Sequence, residues 1–249
     1  MKVLISGICG HMGRELAALC KAGFANAELA GGVDANADIE CTEDGAPVFT
    51  DYGQVNIDYD CIIDFSNHAA TKALTDYAVS MNKPLIIATT GQSEDELAMI
   101  RSAAEKIPVF FAANYSMGVT LLIKLAKEAA AVMKDAEIEI VEMHHDRKLD
   151  APSGTALAIA KGIKEVRPES EIVCGRSGSS KRTKTEIGIS AVRMGNIVGE
   201  HEVLIGTNNE ILRLSHSAQS RSMFAEGALT AAAFLCEKPA GLYSMNDLI

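Results

Sequence analysis

Lys2-Val3-Leu4-Ile5-Ser6-Gly7-Ile8-Cys9-Gly10-His11-Met12-Gly13 is a short apolar run that stops at glycines, and a helical pattern carrying Leu16, Leu19 and Cys20 follows from Met12 to Lys21. That order predicts strand, turn and helix. Glycines at such a junction permit a tight turn, close approach of the backbone to a pyrophosphate, and a helix N-terminus directed at it. The spacing here is GxxGxxG, one residue longer before the second glycine than the commonest dinucleotide fingerprint. Asp34 follows Gly13 by 21 residues, at the end of a second apolar run, where a carboxylate can bind the adenine ribose hydroxyls. Gly7, Ile8, Cys9, Gly10, His11, Met12, Gly13 and Asp34 are therefore candidate cofactor contacts, set against glycines used only for packing. A 2′-phosphate beside Asp34 would be repelled unless a cation intervened, and Ala35-Asn36 supply none, so NADH is favoured. His11 or Arg14 on the glycine loop leaves NADPH open.

Outward from this segment, Leu29 to Val33, Cys61 to Phe65, Leu85 to Ala88 and Val109 to Ala112 are continuous apolar runs, the mark of parallel strands covered on both faces. Helical patterns separate them. One enters at Ser93 with Glu96 three residues on, a capping box, and Met117 to Met133 reads as a long helix. After residue 135 the texture changes: Glu137 to Met143 alternates strictly, as in a sheet with one covered face. A helix over 153–166, a polar loop over 175–184, strands over Ile187–Met194, Ile197–Ile205 and Ile211–Leu214, and an Ala-rich helix from Ser222 to Cys236 complete the chain. The fold class expected is α/β: a Rossmann-like doubly wound parallel sheet, plus a central α+β domain with a mixed or mostly antiparallel open sheet. Residues 1–114 and 216–249 are assigned to a dinucleotide-binding domain, and 115–215 to substrate binding and oligomerisation.

The totals restrict the classes of function. With 249 residues the chain can hold two unequal domains. A formal net charge of -10 argues against nucleic acid as a bulk partner. Cys9, Cys20, Cys41, Cys61, Cys174 and Cys236 show no CxxC or paired spacing, which reads as reduced thiols. No apolar run approaches a membrane span, and the start of the chain has no signal-peptide core. A cytoplasmic protein without a membrane partner is expected.

The chemistry concentrates in His144-His145-Asp146-Arg147-Lys148-Leu149-Asp150-Ala151-Pro152-Ser153-Gly154-Thr155. Two imidazoles titrate near neutral pH, a lysine stays charged, and Ser153 opens a helix whose first N–H groups attract an anion. The combination suits an acidic substrate that must also receive a proton; a solvated loop is the bland alternative. His144 shares its strand face with Ile138, Ile140 and Glu142, and His145 points the other way.

Taken together, these motifs resemble the 4-hydroxy-tetrahydrodipicolinate (dihydrodipicolinate) reductase family over nearly the whole chain. The likeness is carried by the glycine loop, Ala88-Thr89-Thr90-Gly91, Ala112-Ala113-Asn114-Tyr115-Ser116-Met117-Gly118, Glu139 to Ala156, Arg193-Met194-Gly195, His201, and Arg221 to Ala225. The resemblance implies NAD(P)H-dependent reduction of a cyclic unsaturated imine dicarboxylate to tetrahydrodipicolinate, in lysine and diaminopimelate biosynthesis, by a homotetramer. It implies His144 as the acid, with His145 contacting substrate. Lys148 would pair with one substrate carboxylate, and Ser153, Gly154 and Thr155 with the second through N–H groups and a hydroxyl. Ala88, Thr89, Thr90, Ala112, Ala113, Asn114 and Tyr115 would border the cofactor, with Thr89 and Thr90 near the nicotinamide. Ala88 stands where the family usually has glycine. Asp64 and Gly118 read as structural. Arg176, Lys181, Arg182 and Lys184 could steer an acidic substrate, or form a solvated charge run. Two other classes remain for comparison: a nicotinamide-binding sensor without turnover, and a metal-dependent hydrolase using His144, His145 and Asp146. Adjacent strand residues diverge, which counts against the latter.

Overall fold

The structure, a computed structural model, describes residues 1–249. The chain divides into two compact units, Met1–Tyr115 with Ser222–Ile249, and Ser116–Arg221. The first unit begins with β1 (Lys2–Ser6), α1 (His11–Lys21), β2 (Glu28–Val33), β3 (Val48–Phe49), β4 (Cys61–Asp64), α2 (Thr71–Ser80), β5 (Leu85–Ile87), α3 (Glu94–Ala104) and β6 (Pro108–Phe111). Every residue of β4 and β5 is buried, as expected of strands covered on both faces. The Ser93 capping box at α3 forms as its spacing predicts: the Ser93 hydroxyl accepts from Glu96 N–H and the Glu96 carboxylate from Ser93 N–H.

The second unit contains α4 (Met117–Val132), β7 (Glu137–His144), α5 (Gly154–Val166), β8 (Glu171–Cys174), β9 (Glu186–Arg193), β10 (Gly199–Gly206) and β11 (Ile211–Ala218). Its sheet runs in the order β11-β10-β7-β9-β8. β10 pairs antiparallel with β11 and β7, whereas β7–β9 and β8–β9 are parallel, so the sheet is mixed. α4 and α5 pack together over the face that carries Ile138, Ile140, Ile187, Ile189, Val203 and Ile205. The short edge strand β8 has no counterpart in the expected elements: Ile172 and Val173 are only half-buried between the exposed Glu171 and Cys174, so it forms no continuous apolar run. β11 continues to Ala218 rather than ending at Leu214, because its Leu-Ser-His-Ser-Ala tail pairs fully with β10. Those residues therefore lie with the second unit, and the division falls after Arg221 instead of at 215.

The chain then returns to the first unit as α6 (Ser222–Leu235) and β12 (Gly241–Tyr243). The first sheet is wholly parallel, in the order β12-β6-β5-β4-β1-β2-β3. Six of these strands reproduce the doubly wound order 3-2-1-4-5-6, whose switch point lies between β1 and β4. α1 packs beside α6, and α2 beside α3.

One buried cation stabilises the second unit. Arg167, just past α5, donates from Nε to the Ala130 carbonyl (2.9 Å), from Nη1 to Ala136 (2.8 Å), and from Nη2 to Met133. These carbonyls end or follow α4, where acceptors lack further intrahelical donors; that of Met133 also accepts from Ala136 N–H (2.9 Å). A guanidinium also complements the negative end of the helix dipole. Arg167→Met is expected to lower unfolding stability by about 2–3 kcal/mol, read as a fall in the urea midpoint without a change in slope.

Candidate functional site

In the first unit the site grows from the glycine loop. Gly7 has φ +80°, and its N–H donates to the Val33 carbonyl (2.8 Å), tying the loop to β2. A Cβ on Gly7 would fall 2.5 Å from the Phe65 carbonyl oxygen, and one on Gly13 would fall 2.2 Å from that of Gly7. No side chain fits at either place. α1 starts after Gly10 with neither a capping side chain nor an acid in its first turn. Its leading N–H groups thus have no intrahelical acceptor and suit an anion. Asp34, just past β2, accepts from Cys9 N–H and Asn36 N–H, both at 3.1 Å. A cleft of about 420 Å³ is lined by Gly7, Gly10, Asp34, Asn36, Asp51, Tyr52 and Ser66 among others, and no lysine or arginine joins them. The steric cradle, the uncapped helix start and the carboxylate match a dinucleotide.

Beneath this loop lies a tie that the sequence reading treated as mere structure. Asp64 is buried at the end of β4 and accepts from Ser6 Oγ (2.7 Å), Ser66 Oγ (2.5 Å) and Thr89 Oγ1 (2.6 Å). It joins the ends of β1, β4 and β5 at the switch point. Burial raises its pKa, against the lowering effect of those hydroxyls. The Thr89 hydroxyl also accepts from Ser66 N–H (2.9 Å), so it is committed to this network. Thr90 is exposed beside it, and Ala88 N–H is held by the Asp64 carbonyl. Tyr115, expected at the cofactor, is a fully buried core side chain whose hydroxyl donates to the Ile87 carbonyl (2.9 Å). Its ring is removed from solvent because it fills the space beside Phe110 and Phe65. Ala112 and Asn114 remain half-buried and Ala113 exposed after β6.

The second unit gathers the histidine segment around a carboxylate. β7 places Ile138, Ile140, Glu142 and His144 on its buried face, as the alternation predicts. Glu142 is wholly buried. Its Oε2 lies 2.6 Å from His144 Nδ1 and accepts from Arg193 Nη1 (2.8 Å); its Oε1 accepts from Arg193 Nη2 (2.7 Å) and Ser153 N–H (2.9 Å). Burial pushes the Glu142 carboxyl up, but hydrogen bonds from Arg193, His144 and Ser153 outweigh it and hold its pKa below the ordinary value. His201, opposite Glu142 on β10, sits edge-on to His144 at 5.2 Å and reaches Ser153 Oγ at 3.0 Å. Ser153 Oγ also caps α5 by accepting from Ala156 N–H (3.2 Å). Ser153 N–H is already given to Glu142, and Gly154 and Thr155 follow it in the first turn of α5.

Lys148 pairs with Asp150 at 2.8 Å, and that bond holds the Asp150 pKa below its ordinary value. His145 has a buried Nδ1 without a partner; burial, followed by the charges of Arg147, Arg221, His144 and Lys148, depresses its pKa. Asp146 is exposed and paired with Arg147, away from the Glu142–His144 contact, so the three residues weighed as metal ligands do not converge. In the 175–184 loop, Arg182 is tied to Glu139 and to the Ile138 and Glu186 carbonyls, and Arg176 to Glu186. Both arginines therefore tie the loop to the sheet.

A Rossmann-type nucleotide cradle in one unit and a buried imidazole–carboxylate cluster beside a helix start in the other define a pyridine-nucleotide-dependent reductase of an anionic substrate. Residues 1–115 match the family described as "Dihydrodipicolinate reductase, N-terminus", and residues 118–249 match "Dihydrodipicolinate reductase, C-terminus". The 4-hydroxy-tetrahydrodipicolinate reductase of Caldanaerobacter subterraneus subsp. tengcongensis is 46% identical, covering 100% of this chain and 98% of that protein. That of Clostridium tetani is 40% identical, covering 100% and 97%. The structure of a dipicolinate-bound dihydrodipicolinate reductase from Paenisporosarcina sp. TG-14 superposes with TM-score 0.82 at 28% identity, covering 100% of this chain and 99% of that one. A probable dehydrogenase from Thermotoga maritima, 11% identical, shares the fold alone, with TM-score 0.61 over 99% of this chain and 92% of its own. The chain belongs to the dihydrodipicolinate reductase family. It is an oxidoreductase that reduces 4-hydroxy-tetrahydrodipicolinate with a pyridine nucleotide, in lysine biosynthesis.

The His201 environment carries a stability consequence. Burial, then the neighbouring His144, depresses its pKa to about 4, so the folded ring stays neutral where an unfolded histidine, near 6.5, takes a proton. Between those values the unfolded state binds more protons, and stability falls as pH falls. The full window is worth roughly 3 kcal/mol. Urea midpoints at pH 7 and pH 4.5 are expected to differ less in His201→Gln than in the parent; equal differences would contradict the assignment.

Proposed function

We propose that the first unit holds the nucleotide through Gly7–Gly13 and Asp34, with NADH preferred, and that His144 supplies the proton that completes reduction. The observation that carries this reading is the burial of His144 against Glu142, next to the start of α5. When bound, the nicotinamide supplies the hydride. Addition to a conjugated imine leaves an electron pair on the substrate, and a proton from His144 quenches it. Lys148 exchanges Asp150 for one substrate carboxylate, keeping positive charge near the reacting imine. Gly154 and Thr155 receive the second carboxylate at the α5 start, where the helix dipole favours an anion. His145 contacts substrate among the charges of Arg147, Arg221 and Lys148. The dipicolinate bound by the Paenisporosarcina relative is a cyclic dicarboxylate, consistent with two anchoring points.

Nucleotide preference follows from charge. Asp34 and Asp51 both line the cleft without a lysine or arginine, so a 2′-phosphate meets repulsion there. The second unit also carries assembly: Val141, Met143, Val192, Leu204 and Ile211 share the outer face of its sheet, and Val192 and Ile211 are exposed. A homotetramer in the cytoplasm is the assembly and location we assign.

Supplied with the product of dihydrodipicolinate synthase, the enzyme is expected to oxidise NADH with a higher kcat/KM than NADPH. The reverse order would overturn the cofactor reading. His144→Gln should lower kcat by roughly 10²–10⁴-fold with NADH affinity retained. A folded variant with weak NADH binding would reassign the residue. Asp34→Ala should instead weaken NADH by roughly 10- to 100-fold in Kd, measured by fluorescence titration, since hydrogen bonds to a charged carboxylate are lost.

A further inference from the structure

The geometry points to Glu142 as a positioning residue for the proton transfer: clamped by Arg193, it holds His144 as the Nδ1–H tautomer and fixes the ring's place relative to the start of α5. This rests on the reading of His144 as the proton donor.

The Arg193 fork meets Glu142 through two nitrogens and two oxygens, at 2.8 and 2.7 Å, and the Arg193 side chain is itself largely buried. A carboxylate gripped this way by a permanent cation is ionised and accepts only. Its Oε2 stands 2.6 Å from His144 Nδ1, so the hydrogen between them sits on Nδ1. Nε2 is then the nitrogen whose proton comes and goes. The opposite tautomer would set a ring lone pair against a carboxylate lone pair in a site with little water to relieve it.

Two further features fit that assignment. Gly199 lies beside the Nε2 edge, and a Cβ there would stand 3.0 Å from Nε2, so the glycine relieves crowding on the transferring nitrogen. Ser153 N–H donates to Glu142 Oε1, so one rigid carboxylate touches both the proton donor and the helix that receives the substrate anion. Glu142 therefore sets the distance between them. Folding alone does not call for this arrangement. Ile138 and Ile140 occupy the preceding positions on the same strand face, and replacing a buried ion pair by apolar residues is often neutral or stabilising.

The test uses the full chain with NADH and enzymatically supplied substrate, together with ¹⁵N-histidine labelling. In the parent, the His144 ring ¹⁵N shifts should report a protonated Nδ1 and an unprotonated Nε2 at alkaline pH. Glu142→Gln removes the charge and can turn an amide N–H toward Nδ1, so it should give mixed tautomers and a kcat lowered at least roughly 10-fold, with NADH affinity retained. Arg193→Lys, which keeps the ion pair but not the fork, should move both readouts the same way to a smaller extent. It carries the test if Glu142→Gln does not fold. A single Nδ1–H tautomer in the variants, or a retained kcat with mixed tautomers, would overturn the proposal. Full turnover in His144→Gln would instead overturn the proton-donor reading, and this inference with it.

Discussion

A carboxylate with no exposed surface, Glu142, is the point on which the second unit's chemistry depends. Four hydrogen bonds reach it from β7, β9 and the start of α5, so it joins elements that are far apart in sequence. A charge removed from water in this way is tolerated only when every lone pair is met, and removal of one partner leaves the others stranded. That condition makes the cluster rigid. It also gives His144 an orientation that a solvent-exposed histidine would lack, and it commits the Ser153 N–H that would otherwise lie open to an anion.

The first unit solves a different problem with sterics. Its loop must bring backbone within contact of a polyanion, and Gly7 and Gly13 are the positions where a single methyl group would collide with neighbouring main chain. Asp64 holds that geometry from below by joining three strand ends through hydroxyl groups. A buried acid satisfied by neutral donors retains a raised pKa, whereas Glu142, satisfied by a guanidinium, is lowered.

Much of this was readable from residues in order. The strand–glycine–helix opening, the fully apolar strands, the capping box at Ser93 and the alternation in 137–144 each report a local period or a local hydrogen-bond requirement, and the elements formed accordingly. Strand β8 was not readable, since its two half-buried apolar residues at a sheet edge form no continuous apolar run. Neither were the roles of Arg182 and Arg176: a cation in a polar loop looks solvated until the opposing acid is known. The burial of the Tyr115 ring was not readable for a related reason. Its place just past a strand end suggested a ligand contact, but only packing determines whether a ring there turns outward or inward.

The sequence by itself determined which segments are strands and helices, where the backbone must be glycine, and that proton donors, a lysine and a helix start lie together after β7. Those properties depend on neighbours a few residues apart. The tertiary structure decided which groups are available for chemistry. Arg193 reaches Glu142 from 51 positions away and His201 reaches Ser153 from 48, and no periodicity encodes such pairings because they arise from sheet register and burial. The histidine segment names the candidate acid; the fold supplies the carboxylate that holds it in place.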